Sequence, residues 1–377
     1  MDNKPSEVLL TTLMTVHNGS LYIGDAVSSI LRQTFSEFNF LIIDNASDDN
    51  TVEIIKDFND PRINLIELST NIGQTRALNK GLEIIKTKYT ARMDADDISL
   101  PHRLERQIHY LENTPDVCFV GCNHFIIDKN GNNIGFYNWP GNTHDCDFTI
   151  IIKGQPPVGH PMVMFRTEEV IKLGGYNHDF KFGQDVDLWF RGFGENHRFN
   201  NIQHRLAKYR KVNTQLSYKY SNDLNNEGNK AYVDLINSIN HLKNNYSYPV
   251  YNNLVHINNL IRNAPNEINN FLEIKRELLQ YFFTKHSFDN KQILYYTAKL
   301  WVHLFPYIVY NPVKIFIMII KNTILCYSIM KNNISLNTIN FIYYASIFSY
   351  FCFRNINKVV FYYYFANIKP RINSIFK

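Results

Sequence analysis

A chain of 377 residues, 45% of them hydrophobic and 14% aromatic, is too apolar to stay disordered and longer than one ordinary core, so a catalytic-sized domain of about 200 residues plus a second region is the expected division. The formal charge of +5 conceals an asymmetry: residues 291–377 carry Lys and Arg but no Asp or Glu, which leaves the preceding body net acidic and makes an anionic surface the expected partner of the tail. The five cysteines form no CxxC pair and no zinc-finger spacing, and the start, MDNKPSEVLLTTLM, lacks the pattern of a secretory signal; a reducing, cytoplasmic setting is expected rather than a disulfide scaffold or a zinc module.

In chain order, VLLTTLMTV (8–16) reads as a buried strand, HNG (17–19) as a turn, and 20–33 as a helix with Ile23, Ala26, Val27, Ile30 and Leu31 on one face. FNFLIID (38–44) is a second continuous apolar strand ending in a carboxylate. ASDDNT (46–51) then supplies cap chemistry, with Ser47 or Asp48 expected to satisfy backbone N–H groups of a helix over 52–58. A strand over 63–68, a helix over 74–86 and a strand over 89–93 follow. The last delivers the acidic run Asp94, Asp96, Asp97 to a turn before Pro101, where a further helix is expected to begin, with Asp97 or Ser99 as its cap. Alternation of this kind predicts an α/β fold, a doubly wound and mostly parallel sheet, with ligands at the carboxyl ends of the strands, where Asp44 and Asp94 stand.

Residues 216–297 read as a helical extension with Asn-rich helical patterns, and 298–377 as a basic, aromatic tail whose apolar runs are repeatedly broken. No stretch there is apolar for the roughly 20 residues of a membrane span; aromatics interleaved with Lys suit an interfacial helix, so peripheral membrane contact is expected. No nucleic-acid-binding motif accompanies the basic surface, and no nucleic acid is expected as a partner.

Crowding like charges at a strand end costs repulsion unless a cation offsets it. Hard divalent ions take oxygen ligands, commonly one or two carboxylates together with phosphate oxygens, so Asp94, Asp96 and Asp97 suggest a metal and a diphosphate. Asp44 taken alone reads as a helix-cap residue or as an acceptor for a nucleobase or ribose group.

Taken in order, TVHNG, SILRQTF, FLIIDNASDDNT, NIGQTRALNKGL, ARMDADDISLPHRLERQ, GHPMVMFR and GQDVDLWFR resemble the family 2 glycosyltransferases of the GT-A fold, over residues 8–215. The resemblance implies Thr15 and His17 beside the nucleobase, His17 standing where the family has another aromatic and without its preceding proline. It implies Asp44 on the base edge, with Asn45 in place of a second Asp, and Arg76 near a phosphate or on a solvated helix face. It further implies Asp94 on the ribose, and Asp96 and Asp97 on a Mg²⁺ or Mn²⁺ ion bound to the diphosphate. Asp185 is implied as the general base that deprotonates the acceptor, with Gln184 where the family has Glu. Asp187 is expected to match the helix dipole, Trp189 and Phe190 to lie in the core, and His160 to be a satisfied structural residue. A later His of the family is absent, leaving Lys208, Arg210 or Lys211 to take part of its role.

The expected function is that of an inverting, metal-dependent transferase moving sugar from a UDP-linked or related nucleotide sugar to a saccharide or lipid-linked acceptor at the inner face of the cytoplasmic membrane. The alternative is a non-catalytic nucleotide-sugar-binding or membrane-assembly protein that keeps the fold. Residues 1–215 are expected to form the transferase domain.

Overall fold

Strands β1 (Leu10–Val16), β2 (Phe38–Asp44), β3 (Ile63–Glu67) and β4 (Tyr89–Asp94) lie parallel in the order β3-β2-β1-β4 in a computed structural model that describes residues 8–212 and 220–239, with positions 277–278, 281–286, 292, 295, 296 and 299. Helices α1 (Ile23–Leu31), α2 (Thr51–Asp57) and α3 (Gln74–Ile84) make the crossovers. Every residue of β1 is buried, as is all of β2 except Asn39, which is why these segments read as continuous apolar runs rather than alternating ones. Each element expected over residues 8–93 forms, displaced at its ends by a few residues.

The sheet then turns mixed. β8 (Met164–Arg166) runs antiparallel to β4, and β6 (Val117–Ile127) antiparallel to β8. The long strand β9 (Arg198–Arg210) is parallel to β6, while β5 (Ile98–Ser99) and β7 (Asn133–Tyr137) pair antiparallel with β9 and β6. The order β3-β2-β1-β4-β8-β6-β9-β5 places β2 and β3 to one side of β1 and β4 to the other, so the chain reverses direction of growth at β1 and opens a crevice at the carboxyl ends of β1, β2 and β4.

The remaining helices are α4 (Arg103–Asn113), α5 (Thr143–Phe148), α6 (Thr167–Lys172), α7 (Gln184–Gly194) and α8 (Ser221–Ser238). α4 begins after the expected Pro101 because the Pro101 carbonyl is taken by the N–H and Oγ1 of Thr34, at 2.9 and 3.1 Å. Neither Asp97 nor Ser99 caps it. Gln33, just past α1, accepts the Leu104 N–H through Oε1 at 3.0 Å, whereas Ser99 belongs to β5 and donates its own N–H to Ser29 Oγ.

One continuous core includes Leu10, Met14, Ile30, Phe40, Met93 and Met164. Trp189 and Phe190 of α7 are buried, as expected; Trp189 meets the Phe119 ring edge-on at 5.1 Å, and burial of side chains of this size, each contributing about 2–3 kcal/mol, fixes α7 in place.

The chain divides into two compact units, residues 1–150 with 154–240, and 151–153 with 241–377. Among the described residues, strands β1–β9 and helices α1–α8 belong to the first. Among the described residues no helix is long and apolar enough to cross a membrane. The basic tail expected over 298–377 lies outside the described residues, Lys299 excepted.

Candidate active site

Register brings the first carboxylates together. Thr15, buried next to the end of β1, is paired across the sheet with Ile43 on one side and Asp94 on the other, and Val16 is paired with Asp44. At a strand spacing of about 4.8 Å, Asp44 and Asp94 flank a crevice roughly 10 Å across. His17, the next residue, is exposed at its rim.

The loops after β1 and β2 are stitched to each other. Asn18 donates its N–H to Ser47 Oγ and accepts the Asp48 N–H at Oδ1, both at 2.9 Å; Gly19 N–H reaches Thr51 Oγ1 and Ser20 N–H reaches Asp49 Oδ2. These bonds hold Asn18 and Ala46 in left-handed backbone, at φ of 56° and 61°, a conformation costing a non-glycine residue on the order of 1–2 kcal/mol. The cap of α2 comes from Asp49, which accepts the Thr51 N–H at 3.0 Å, and not from Ser47 or Asp48. Burial raises the Asp49 carboxyl, but the hydrogen bonds from Thr51 and Ser20 outweigh it and bring it down to about 2. Ser47 instead orients Asp44: its N–H meets Oδ2 at 3.0 Å and its hydroxyl meets Oδ1 at 2.5 Å. That occupies two of the roughly four lone-pair sites of a carboxylate and leaves capacity for a ligand donor.

Asn45, where the family has Asp, is explained by its partners. Its Nδ2 donates to Asn71 Oδ1 at 3.0 Å while its Oδ1 accepts the Ile72 N–H at 2.9 Å, so the position needs a donor and an acceptor on one side chain. The pair ties the end of β2 to the loop that opens α3. Arg76 is exposed on α3, and no contact shown ties it to the carboxylates.

At the end of β4 one carboxylate oxygen from each of Asp94, Asp96 and Asp97 lies within 4.8 Å of the other two. Asp94 pairs with Nη1 of Arg92, a fully buried guanidinium whose Nε and Nη2 have no hydrogen-bond partner among the described residues. Asp97, only 2% exposed, accepts the Arg210 N–H at 2.8 Å through Oδ1 and buries Oδ2 without a hydrogen-bond partner among the described residues. Burial, reinforced by the charges of Asp94 and Asp96, pushes the Asp97 carboxyl well above the usual carboxylate range. Crowded oxygens, one of them buried and unpaired, form a donor set short of positive charge that fits a hard divalent ion such as Mg²⁺ or Mn²⁺. Arg210 builds this turn: Nε donates to the Asp96 carbonyl at 2.8 Å, Nη1 to the carbonyls of Asp128 and Lys129, and the guanidinium lies over the Tyr22 ring.

Asp185, half-buried in the first turn of α7, faces the same charges. Burial lifts its carboxyl to about 6, against the pull of backbone N–H groups; Arg92 and Asp94 are near enough to act on it electrostatically, Arg92 lowering it and Asp94 raising it. The fold therefore gathers Thr15, Asp44, Asp94, Asp96, Asp97 and Asp185 around one crevice. His160 is held by Tyr176, whose hydroxyl lies 2.9 Å from Nε2, and burial with Arg92 nearby keeps its ring neutral. Asp187 pairs with Arg191 at 2.7 Å, and Arg191 donates to the carbonyls of Leu173 and Gly175.

Three positioning contacts were not legible in the sequence. Asn79 of α3 brackets Tyr176, donating to its carbonyl at 2.7 Å and accepting its N–H at 2.9 Å, and Thr75 Oγ1 donates to the Phe180 carbonyl. Gly175, at φ 69°, permits this: a Cβ there would stand 2.7 Å from Asn79 Oδ1. The third contact is made by Glu227 of α8, which accepts the N–H groups of Lys181, Phe182 and Gly183. The motif NIGQTRALNKGL gave no sign that two of its side chains secure a loop about a hundred residues downstream.

The family model for Glycosyl transferase family 2 matches residues 11–170. The O-antigen biosynthesis glycosyltransferase WbnJ of Escherichia coli is 34% identical over 210 residues, covering 54% of this chain and 79% of that protein. An uncharacterized glycosyltransferase of Methanocaldococcus jannaschii is 32% identical over 206 residues, covering 54% of this chain and 70% of its own. The crystal structure of S. aureus TarS 1-349 in complex with UDP-GlcNAc is similar in fold, with a TM-score of 0.52 at 14% identity over 77% of this chain and 87% of that one. With the crevice carboxylates in the order the motifs gave them, these matches establish that the chain belongs to glycosyltransferase family 2 and has the GT-A fold.

Proposed function

We propose that the chain is an inverting glycosyltransferase that moves sugar from a nucleoside-diphosphate sugar, UDP-linked, to a hydroxyl of a saccharide or lipid-linked saccharide during surface-polysaccharide assembly. The observation that carries this reading is the meeting of Asp94, Asp96 and Asp97 with a raised, half-buried Asp185 around one crevice. WbnJ, named for O-antigen biosynthesis, supports the surface-glycan setting, and the UDP-GlcNAc held by TarS supports the donor class.

In this reading Thr15 and His17 border the base, Asp44 accepts from its edge, Asp94 accepts from the ribose, and Arg76 serves a phosphate. Asp96 and Asp97 would hold Mg²⁺ or Mn²⁺, which when bound supplies positive charge against the leaving diphosphate. Asp185 takes the proton of the acceptor hydroxyl as that oxygen attacks the anomeric carbon from the side opposite the diphosphate; one base and one displacement give inversion. A carboxyl raised to about 6 is a stronger base than an ordinary Asp and is still mostly ionised at neutral pH. Residues 1–215 form the transferase domain of this proposal, 216–297 its helical extension, and the basic tail over 298–377 brings it to the cytoplasmic face of the membrane, where anionic lipid is worth about 1 kcal/mol per Lys or Arg.

The test is release and transfer from UDP-, GDP- and dTDP-sugars with Mn²⁺ or Mg²⁺, comparing the full chain with Asp96→Ala and Asp185→Asn. Metal-dependent release of one nucleoside diphosphate, lost in both variants, upholds the proposal. Metal-dependent binding of a nucleotide sugar without turnover in any assay would replace it with a non-catalytic sugar-nucleotide-binding role.

A further inference from the structure

α7 starts at Gln184 without a side-chain cap, because its N-cap residue is Gly183. The N–H groups of residues 181–183, which lead into this start, are met by a carboxylate from another helix. Glu227 of α8 accepts the Lys181 N–H through Oε1 at 3.1 Å, and those of Phe182 and Gly183 through Oε2 at 2.8 and 2.7 Å. Three successive N–H groups converging on one carboxylate make a concave anion nest, and this nest ends two residues before Asp185.

The approach is close: a Cβ at Gly183 would crowd Glu227 Cβ at 3.1 Å and touch the Gly228 nitrogen at 3.4 Å. Around the nest, the Phe182 ring stacks on Tyr220 at 4.4 Å, the Lys230 ammonium lies 5.0 Å from the Phe180 ring, and Phe190 packs on Tyr232. On its other flank the same loop is held by Thr75 and Asn79 of α3. The segment 176–183 is thus suspended between a helix inside the family match and one beyond its last matched residue, 170.

We infer that Glu227 is a positioning residue for transfer: by gathering the N–H groups of residues 181–183 it sets where α7 begins, and so where the Asp185 carboxylate meets the acceptor hydroxyl. The inference rests on the transferase reading of Asp185. It assigns the placement of the base to α8, a segment that lies after the matched family domain, and it makes acceptor attack, rather than donor binding, the step that depends on Glu227. Gln184, in the position where the family has Glu, contributes no charge to the start of α7; the carboxylate on the preceding turn belongs to Glu227.

The experiment compares the full-length protein with Glu227→Ala and Glu227→Gln by amide hydrogen exchange over 178–190 and by steady-state transfer across pH. With Glu227→Ala, exchange at residues 181–183 is expected to speed up, kcat to fall roughly a hundredfold with the donor KM unchanged, and the acid limb of the pH profile to move down as water reaches Asp185. Glu227→Gln, which keeps an oxygen for the Phe182 and Gly183 N–H groups, is expected to restore most of kcat and to speed exchange at Lys181 alone. Should the alanine variant not fold, the glutamine variant decides through that same residue. Unchanged exchange, or faster exchange with kcat and the pH limb of the wild type, overturns the inference. Absence of turnover in the wild type with every donor defeats the transferase reading instead, and then the exchange rates alone judge whether Glu227 anchors the start of α7.

Discussion

Arg210 donates its backbone N–H to Asp97 Oδ1 at 2.8 Å, and the other oxygen of Asp97 is buried with no hydrogen-bond partner among the described residues. A buried carboxyl left in that state is costly to ionise, and a cation is the simplest relief. Addition of Mn²⁺ to metal-free protein is therefore expected to raise the melting temperature, by the equivalent of about 2.7 kcal/mol at a hundred times Kd, and EDTA to reverse it. Asp97→Asn should lose the metal-dependent part of the shift. A melting temperature indifferent to Mn²⁺ and Mg²⁺ would count against the metal site.

The guanidinium of Arg210 ties the Asp96 carbonyl to those of Asp128 and Lys129 and so holds the acidic turn from the side of β9. Arg210→Met should weaken Mn²⁺ binding at least tenfold and cost about 1–3 kcal/mol of stability, since three part-buried carbonyls lose their donor together. UDP binding measured without metal should change little, because Nε and Nη1 are spent on backbone carbonyls and Nη2 faces Asp25 at 3.8 Å. A large loss of metal-free UDP affinity would show instead that Arg210 serves a phosphate.

Asp185 rises from 3.8 to about 6 on folding, chiefly through burial. The linked stability is present below 3.8 and is lost as pH rises through about 6, because above that the folded state must carry a desolvated charge. Activity runs the opposite way, since the base works ionised: kcat/KM is expected to climb with pH through about 6 and level off above it. Asp185→Asn should lower kcat by roughly 10²–10⁴ while making the melting temperature at pH 7 equal to or higher than that of the wild type. An acid limb centred near 4 would show that Asp185 is not the titrating base.

Asn45 both donates to Asn71 and accepts from Ile72, so Asn45→Asp, the substitution that restores the residue found in the family, should harm this chain. The carboxylate would face Asn71 Oδ1, and a flip of Asn71 to meet it would abandon the Gly73 N–H. Loss of one such bond should cost about 1–2 kcal/mol and raise the donor KM, read by thermal melts and kinetics on the same preparation. A variant as stable as the wild type would mean that the loop over 70–73 rearranges freely.

What the sequence determined by itself was the pattern of strands and helices, whose physics is local. Continuous apolar runs made β1, β2 and β4 buried strands, helical spacing made α1, α2 and α3, and their alternation placed Asp44 and Asp94 at strand ends on one crevice, because a parallel sheet brings those ends together whatever the loops do. The short strand β5, with only Ile98 and Ser99, carries no pattern of its own and exists because β9 pairs with it. The α4 cap was misread for the same reason, since Gln33 is distant in sequence; the α2 cap is local, but Asp49 stands among Ser47, Asp48 and Asn50, equally good acceptors that only the packed loops tell apart. Tertiary structure alone decided that Asn45 must offer both a donor and an acceptor, that Arg210 is spent on the acidic turn, and that Glu227 reaches the approach to Asp185. Each of these is a hydrogen bond between groups far apart along the chain, and such a pairing leaves no periodicity in the sequence because it depends on where the packed core carries the backbone.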